Sequence, residues 1–442
     1  MKSAVLHAPG APTHADLRDE SDRAPAHRSQ KSVSDRGPAP LGAWARRLEA
    51  RSQDRYPAWR RWSRGLGIRL LDLARILWYA PRLSGEVSDR FGVPVRTQLA
   101  EQFRLAFGKG IDPSIYYLME LYKPGALARI DDYFMRREVK GDLLALLHRL
   151  QPAAGERRIN LGDKMQLLAW CLRANLPHVA PLMLIEDGQV IWQTGNLLDL
   201  DQDLFVKPRV GRGARGVCHY RRKAAFRYVD ADGKLRMLGE VVSALIRRHG
   251  TRSLMVQPKL RNHPALADLA TNSLIALRAV TCLDETGQPE LVMAYLRVLA
   301  KLEDDWPVKK PISEYAAAVD LETGRLSAMT GDKPECLSQW HERHPVTGVP
   351  LVGRRVPCWE EITALAKQAH RVVNDRVLVG WDIAITPAGP ILLEGNSYPD
   401  VHYPQRIYGR PFGEMRVGQL LRHHMARLEA KWDADPARIR KF

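Results

Sequence analysis

The 442-residue sequence has no apolar run approaching the roughly 20 residues that cross a bilayer. Its opening, MKSAVLHAPGAPTH, holds too short an apolar stretch for a secretory h-region, which argues against export by that route and places the protein in the cytosol. Cysteine is scarce: Cys171, Cys218, Cys282, Cys336 and Cys358 include no CxxC pair. That excludes a disulfide framework and a zinc ribbon and leaves them as core thiols. A GxSxG elbow is missing, which weighs against a nucleophilic hydrolase, and no internal repeat is present. Acidic residues are outnumbered, 50 against 67 basic, for a net charge of +17. The excess favours anionic partners: nucleotides, phosphorylated sugars, nucleic acid or a lipid surface. What remains is 45% hydrophobic and 26% charged, the balance of a globular protein.

Large aliphatic and aromatic residues are nearly missing from residues 1–40, which cannot bury enough surface to offset ordering entropy, so a disordered tail is predicted there. Residues 41–154 read as a mostly helical region. Its first part, residues 41–82, sets ten arginines against only Glu49, Asp54 and Asp72. Leu66, Leu70, Leu73 and Leu77 recur there at helical spacing, while Arg61, Arg64, Asp72, Arg75 and Arg82 fall largely on another side. With Trp59, Trp62 and Trp78, this basic amphipathic helix either packs on the rest of the protein with its arginine face solvated or docks peripherally at an anionic membrane surface. From 155 to 430 short β-type runs (LFVKP, SLMVQPKL, SLIALRAVTCL, LVMAYLRVLA, LVGWDIAI, PILLEGN) alternate with turn signals and a few helices, an α+β body. One helix is signalled by the stripe Ile362, Leu365, Ala366, Ala369, Val372 and Val373. Residues 431–442 read as a C-terminal tail.

Two constellations carry chemistry. In LFVKPRVGRGARGV, residues 204–217, a strand ends at Lys207 and glycines follow. Gly211, Gly213 and Gly216 let backbone N–H groups approach phosphate oxygens, and Arg209, Arg212 and Arg215 raise the local potential. The string is formally GxGxxG, but VCHYRR continues as a strand rather than a helix, so a phosphate-covering loop between antiparallel strands is expected instead of a dinucleotide fold. The second constellation, LVGWDIAITPAGPILLEGN, reads as a hairpin turning through Thr386, Pro387, Ala388, Gly389 and Pro390. A five-residue loop sets Asp382 opposite Glu394, with Asn396 on the same face. Opposed carboxylates are destabilising unless something positive lies between them, and two carboxylates with an amide oxygen suit Mg²⁺, or Mn²⁺ in its place, bound with phosphate oxygens.

The order of these segments resembles the ATP-grasp superfamily and, within it, the sugar-transfer-associated ATP-grasp family, and is similar to alpha-L-glutamate ligase-related proteins. The likeness covers roughly residues 155–405 and rests on Asp163-Lys164, Lys207 with its glycine loop, MVQPKLRNHPALADL, NSLIALRAVT, HPVTG, VPCWEEI, GWDIAIT and LLEGN. It implies two α+β lobes clasping ATP, preceded here by the helical region. It also implies phosphate contacts from Lys164 and Lys207, adenine contacts from Gln257, Lys259 and Leu260, and Mg²⁺ on Asp382, Glu394 and Asn396. Arg278, in an otherwise apolar strand, needs an anionic partner, either a structural carboxylate or a phosphate; the resemblance implies the γ-phosphate or an acyl phosphate. Arg297 poses the same question. Three departures stand out: LAKLEDDWPVKKPIS after Arg297, Pro258 where an acidic residue is common, and PDVHYPQ after Asn396. The function implied is an ATP-dependent carboxylate-amine ligase working through an acyl phosphate, on a small molecule or a cell-surface saccharide precursor. A kinase acting on a hydroxyl is the nearest rival. Nucleic-acid binding is the rival from another class, and neither a zinc finger nor an RNP-type aromatic motif supports it.

Overall fold

The computed structural model describes residues 39–152, 158–211, 216–230, 232–270, 273–299, 314–345 and 347–435. The tail expected over residues 1–40 falls almost wholly outside them, as does most of LAKLEDDWPVKKPIS. Two antiparallel sheets form the body. Strands β1 (Met183–Glu186), β2 (Gln189–Gln193), β3 (Leu204–Pro208), β4 (Cys218–Ala224), β5 (Arg227–Val229), β6 (Leu235–Met237) and β7 (Leu254–Pro258) make a sheet in the order β2-β1-β7-β3-β4-β5-β6. Strands β8 (Ala276–Leu283), β9 (Pro289–Leu299), β10 (Glu314–Val319), β11 (Leu326–Gly331), β12 (Leu378–Thr386) and β13 (Gly389–Asn396) make the other, in the order β11-β10-β9-β8-β12-β13. All six expected β-type runs are strands. β2, β5 and β6 are short or solvated and carry too weak an apolar alternation to be read in advance.

Strand alternation decides what each face does. In the first sheet Leu204, Val206, Leu254 and Val256 pack on Val241 and Leu245 of the Leu238–His249 helix. Lys207, Met255 and Gln257 therefore point the other way. In the second sheet Leu277, Ala279, Val379, Trp381 and Ile383 pack on Ile362, Leu365, Ala366 and Ala369 of the Trp359–Val372 helix, which is the helix read from its stripe. The alternate residues Val280, Cys282 and Leu378 turn to the opposite face. There they share a core with Leu41, Ala45 and Leu48 of the Leu41–Ser52 helix, with Leu143 and Leu147, and with Leu420, Leu421 and Trp432 of the Arg416–Ala434 helix. The helical N-terminal region thus packs on the same face of β8 and β12 that carries Arg278 and Asp382.

Two expectations differ from the structure. The helix containing Leu66 to Leu77 runs from Ala58 to Phe91, and it buries Asp72, Ile76, Ala80, Leu83 and Val87 while Leu66, Leu70 and Leu77 are exposed. Asp72 is on the packed side because Arg137 and Arg75 reach it, so a fully buried carboxylate is charge-compensated there. At the other end, the segment from 431 continues a helix to Ala434, and Trp432 is fully buried. Its indole fills the core between the two terminal helices, and Arg51 lies 5.4 Å from its ring centroid. Trp432→Ala is expected to cost about 3–5 kcal/mol, read as a lowered denaturation midpoint. A loss below about 1 kcal/mol would mean that this end of the chain contributes nothing to the core.

Candidate functional site

The β12–β13 hairpin sets the acids. The turn is tighter than the five-residue loop expected, because pairing continues to Thr386 opposite Gly389 and leaves only Pro387 and Ala388 between the strands. Gly389 has φ +105°, a conformation that favours glycine, and the Thr386 hydroxyl donates to the Gly389 carbonyl at 2.8 Å. Carried along regularly, that register would put Leu393 opposite Asp382. A bulge between Asp382 and Ile383 takes up Leu393 as the extra residue, so Asp382 pairs with Glu394 and Gly380 with Asn396. The expected opposition is present, with the bulge as its cause.

Protein cations meet the two carboxylates. Arg278 is the register partner of Asp382 on β8, and its Nε and Nη2 both donate to that carboxylate, Nη2 to Oδ2 at 3.0 Å. Of the two partners considered for Arg278, the structure therefore shows the carboxylate. Gly380 makes room for it, since a Cβ there would sit 3.3 Å from Arg278 Cδ and 2.9 Å from Pro399. Glu394 has Lys164 Nζ 4.0 Å from Oε1. Burial pushes the Glu394 carboxyl up, against the pull of Lys164, with Asp382 raising it further. Arg297 lies on the same face, two residues along from Tyr295, the register partner of Arg278. It forks onto Glu314, with Nη2 at 2.8 Å from Oε2.

The first sheet supplies the other wall. Lys207 sits near the end of β3 with its side chain partly buried, and burial, then the neighbouring Lys164, push its ammonium down to about 8. Asp163 caps the Lys164–Arg173 helix by accepting from Met165 N at 2.9 Å, and it holds Arg209 through Nε and Nη2 at 3.0 Å each. Arg209 also donates to Glu186 at 2.7 Å. The helix start and the root of the glycine loop are thereby tied together, which fixes Lys164 beside Lys207. Gly211 and Gly216 flank the loop, which connects β3 to the antiparallel β4 as expected, and Gly216 has φ +79°. Gly213, Arg212 and Arg215 lie outside the described residues.

Lys164, Lys207, Gln257, Met255, Leu392 and Leu393 line one cleft. Gln257 Nε2 donates to the Val179 carbonyl at 2.8 Å, so its amide is fixed at the wall. Lys259 and Leu260 follow β7 and do not line that cleft; the Lys259 N–H donates to the Asp203 carbonyl. Sequence reasoning missed the Asp163–Arg209 tie, although aspartate just before a helical run is a capping signal. It also missed Glu314 as the partner of Arg297, and no local signal marks that pairing.

The two acids differ in what they do for the fold. Asp382 neutralises a nearly buried guanidinium, whereas the charge on Glu394 is disfavoured by its burial. Asp382→Ala is expected to destabilise the protein by about 3–5 kcal/mol through the stranded Arg278, and Glu394→Ala by less than about 1 kcal/mol. Equal losses in chemical denaturation would contradict this division.

Comparison with known proteins adds the family. A family model described as sugar-transfer associated ATP-grasp matches residues 149–415, more than half the chain. No curated protein matches. Among solved structures, the VanG D-Ala:D-Ser ligase from Enterococcus faecalis is similar at 12% identity and TM-score 0.36, covering 61% of this chain and 62% of that one. D-alanyl-alanine synthetase A from Vibrio cholerae O1 biovar eltor str. N16961 is similar at 13% identity and TM-score 0.34, covering 61% and 66%. The ATP-grasp ligase PsnB, complexed with a minimal precursor, is similar at 13% identity and TM-score 0.31, covering 60% of each. The chain spans less than two thirds of the length of each of these three structures. With its two antiparallel sheets and the family match across them, this chain belongs to the sugar-transfer associated ATP-grasp family and has the ATP-grasp fold.

Proposed function

We propose that the protein is an ATP-dependent carboxylate-amine ligase. The observation that carries this reading is the gathering of Asp382, Glu394 and Asn396 with Lys164, Lys207 and Arg278, drawn from both sheets and from the Lys164–Arg173 helix. The residues fit a hard cation. Asn396 Nδ2 is buried without a hydrogen-bond partner among the described residues, and turning the amide over presents an oxygen from the same place. Among the described residues Glu394 is held only by the 4.0 Å pair to Lys164, and a carboxylate forked by one guanidinium, as Asp382 is, keeps lone pairs to spare. Mg²⁺ bound at these oxygens would supply positive charge to the phosphate oxygens of ATP. Mn²⁺ suits the same donors.

The remaining work falls to the chain. Lys164 and Lys207 offset phosphate charge from the opposite wall, and the glycine loop offers backbone N–H groups. Gln257 orients the base end of the nucleotide. The substrate carboxylate attacks the γ-phosphorus, ADP leaves, and an amine then attacks the carbonyl carbon, releasing phosphate and a proton. Arg278 and Arg297 sit on the sheet face where the acyl phosphate forms and stabilise its charge. The family's description supports a saccharide or saccharide precursor as the molecule modified.

Incubation with ATP, Mg²⁺, candidate carboxylates and hydroxylamine tests the chemistry. Hydroxamate formation is expected, and a stable phosphoester without hydroxamate would show phosphoryl transfer to a hydroxyl instead. Glu394→Ala is expected to abolish Mg²⁺-ATP turnover in a folded protein; unchanged turnover removes Glu394 from the metal site. Lys207 gives a pH signature. Because its free-state value is about 8, it holds its proton below that pH and loses it above. ATP affinity should therefore fall as pH rises from about 7 to about 9.5, by up to about tenfold per unit. In Lys207→Met the affinity should be lower and this fall absent. An identical pH profile in both proteins would contradict the assignment.

A further inference from the structure

The Ala58–Phe91 helix buries no side chain before Asp72. On that projecting half Trp59, Trp62, Leu66 and Leu70 succeed one another at three- and four-residue spacing, and Leu73 and Leu77 continue the row. Trp59 and Trp62 are 72% and 70% exposed, and Leu77 is 65% exposed. Single exposed leucines are ordinary, but a continuous row bearing two indoles is a contact surface. The neighbouring Val95–Phe103 helix packs on Ile76 and Ala80 through Leu99, and its last residue, Phe103, stacks on Phe107 at 5.7 Å, both exposed.

Cations border the row. By helical phase Arg60 and Trp78 lie beyond one edge of the row and Arg69 along the other, while Arg64 and Arg82 fall toward the opposite side of the helix. Arg82 stacks on Trp78 at 3.7 Å. At the helix start a cavity of about 490 Å³ is lined by Arg60, Arg61, Arg64, Lys140, Tyr56 and Asp142, the last already paired with Arg55. Arg61 is paired with Asp54, and Arg64 lies 3.7 Å from Glu49. Arg60 and Lys140 have no acidic partner among the described residues. No helix among those residues is long and apolar enough to cross a membrane.

We propose that this face docks on an anionic lipid bilayer. The apolar row enters the headgroup boundary, the indoles sit at the interface, and Arg60, Arg69 and Lys140 meet the lipid charges. Charge decides against a second copy of the chain as occupant. A two-fold contact through the same face would bring Arg60, Arg69 and Lys140 against cations of the other copy, whereas anionic headgroups satisfy all three at once.

Flotation of the full chain with vesicles of phosphatidylcholine alone, or mixed with phosphatidylglycerol, tests this. Removing residues 41–82 would be a poor probe, because Leu41, Ala45 and Leu48 belong to the core; point substitutions are used instead. Flotation with the anionic vesicles alone is expected, weakened by salt. Trp59→Ser, Trp62→Ser and Leu70→Ser together should abolish it, and Arg60→Glu with Arg69→Glu should reduce partitioning about fivefold or more per arginine. If the serine variant melts at a lower temperature, the arginine variant, which leaves the apolar row intact, decides. No flotation, undiminished flotation of the deciding variant, or an oligomer that the serine substitutions dissolve would overturn the proposal.

Discussion

Two carboxylates held face to face across a hairpin are the constraint around which the site is built. Asp382 and Glu394 repel each other, and the structure keeps them together by bringing a guanidinium from β8 to one and an ammonium from the Lys164–Arg173 helix to the other. The compensation is unequal. Arg278 grips Asp382 through two hydrogen bonds, while Lys164 stands off from Glu394 and shares its surroundings with Lys207, whose charge the site already disfavours. One satisfied acid, one loosely held acid, an amide unpartnered among the described residues and two crowded ammonium groups fit the proposed binding of a divalent cation together with several phosphate charges.

The rest of the molecule makes that arrangement durable. The Trp359–Val372 helix seals one face of the second sheet, so Trp381 and Ile383 anchor the residues flanking Asp382 in a dry core. The terminal helices cover part of the other face and leave the remainder to Arg278, Asp382 and Arg297. The first sheet is fastened at the helix start by Asp163 and Arg209, which fixes how far Lys164 and Lys207 stand from the hairpin. Preorganisation of this kind places charge before the nucleotide arrives.

Much of this was legible in the sequence because alternation and turn chemistry are local. The strand ending at Lys207, the antiparallel return after the glycine loop, the Trp359–Val372 helix and the opposition of Asp382 and Glu394 all follow from patterns a few residues long. The turn is shorter than the five-residue loop that the turn residues suggest, and the bulge at Leu393 carries no local signal; the two offset each other, which preserves the pairing of Asp382 with Glu394. Long-range choices were not legible. Asp382 taking Arg278, Glu314 taking Arg297, and Asp72 being buried against Arg137 join residues 65 to 104 positions apart, except for the 17 separating Arg297 from Glu314, and no local spacing announces such pairs. The leucine row of the Ala58–Phe91 helix read correctly as amphipathic, but periodicity alone does not say whether an apolar face meets protein or something else.

Calorimetric titration of the protein with ATP, with and without Mg²⁺ and in buffers of different ionisation enthalpy, tests the central claim most directly. The account predicts binding that requires the divalent cation and takes up protons near pH 8, as phosphate restores the charge on Lys207. Absence of ATP binding, or binding indifferent to both Mg²⁺ and buffer, would contradict it.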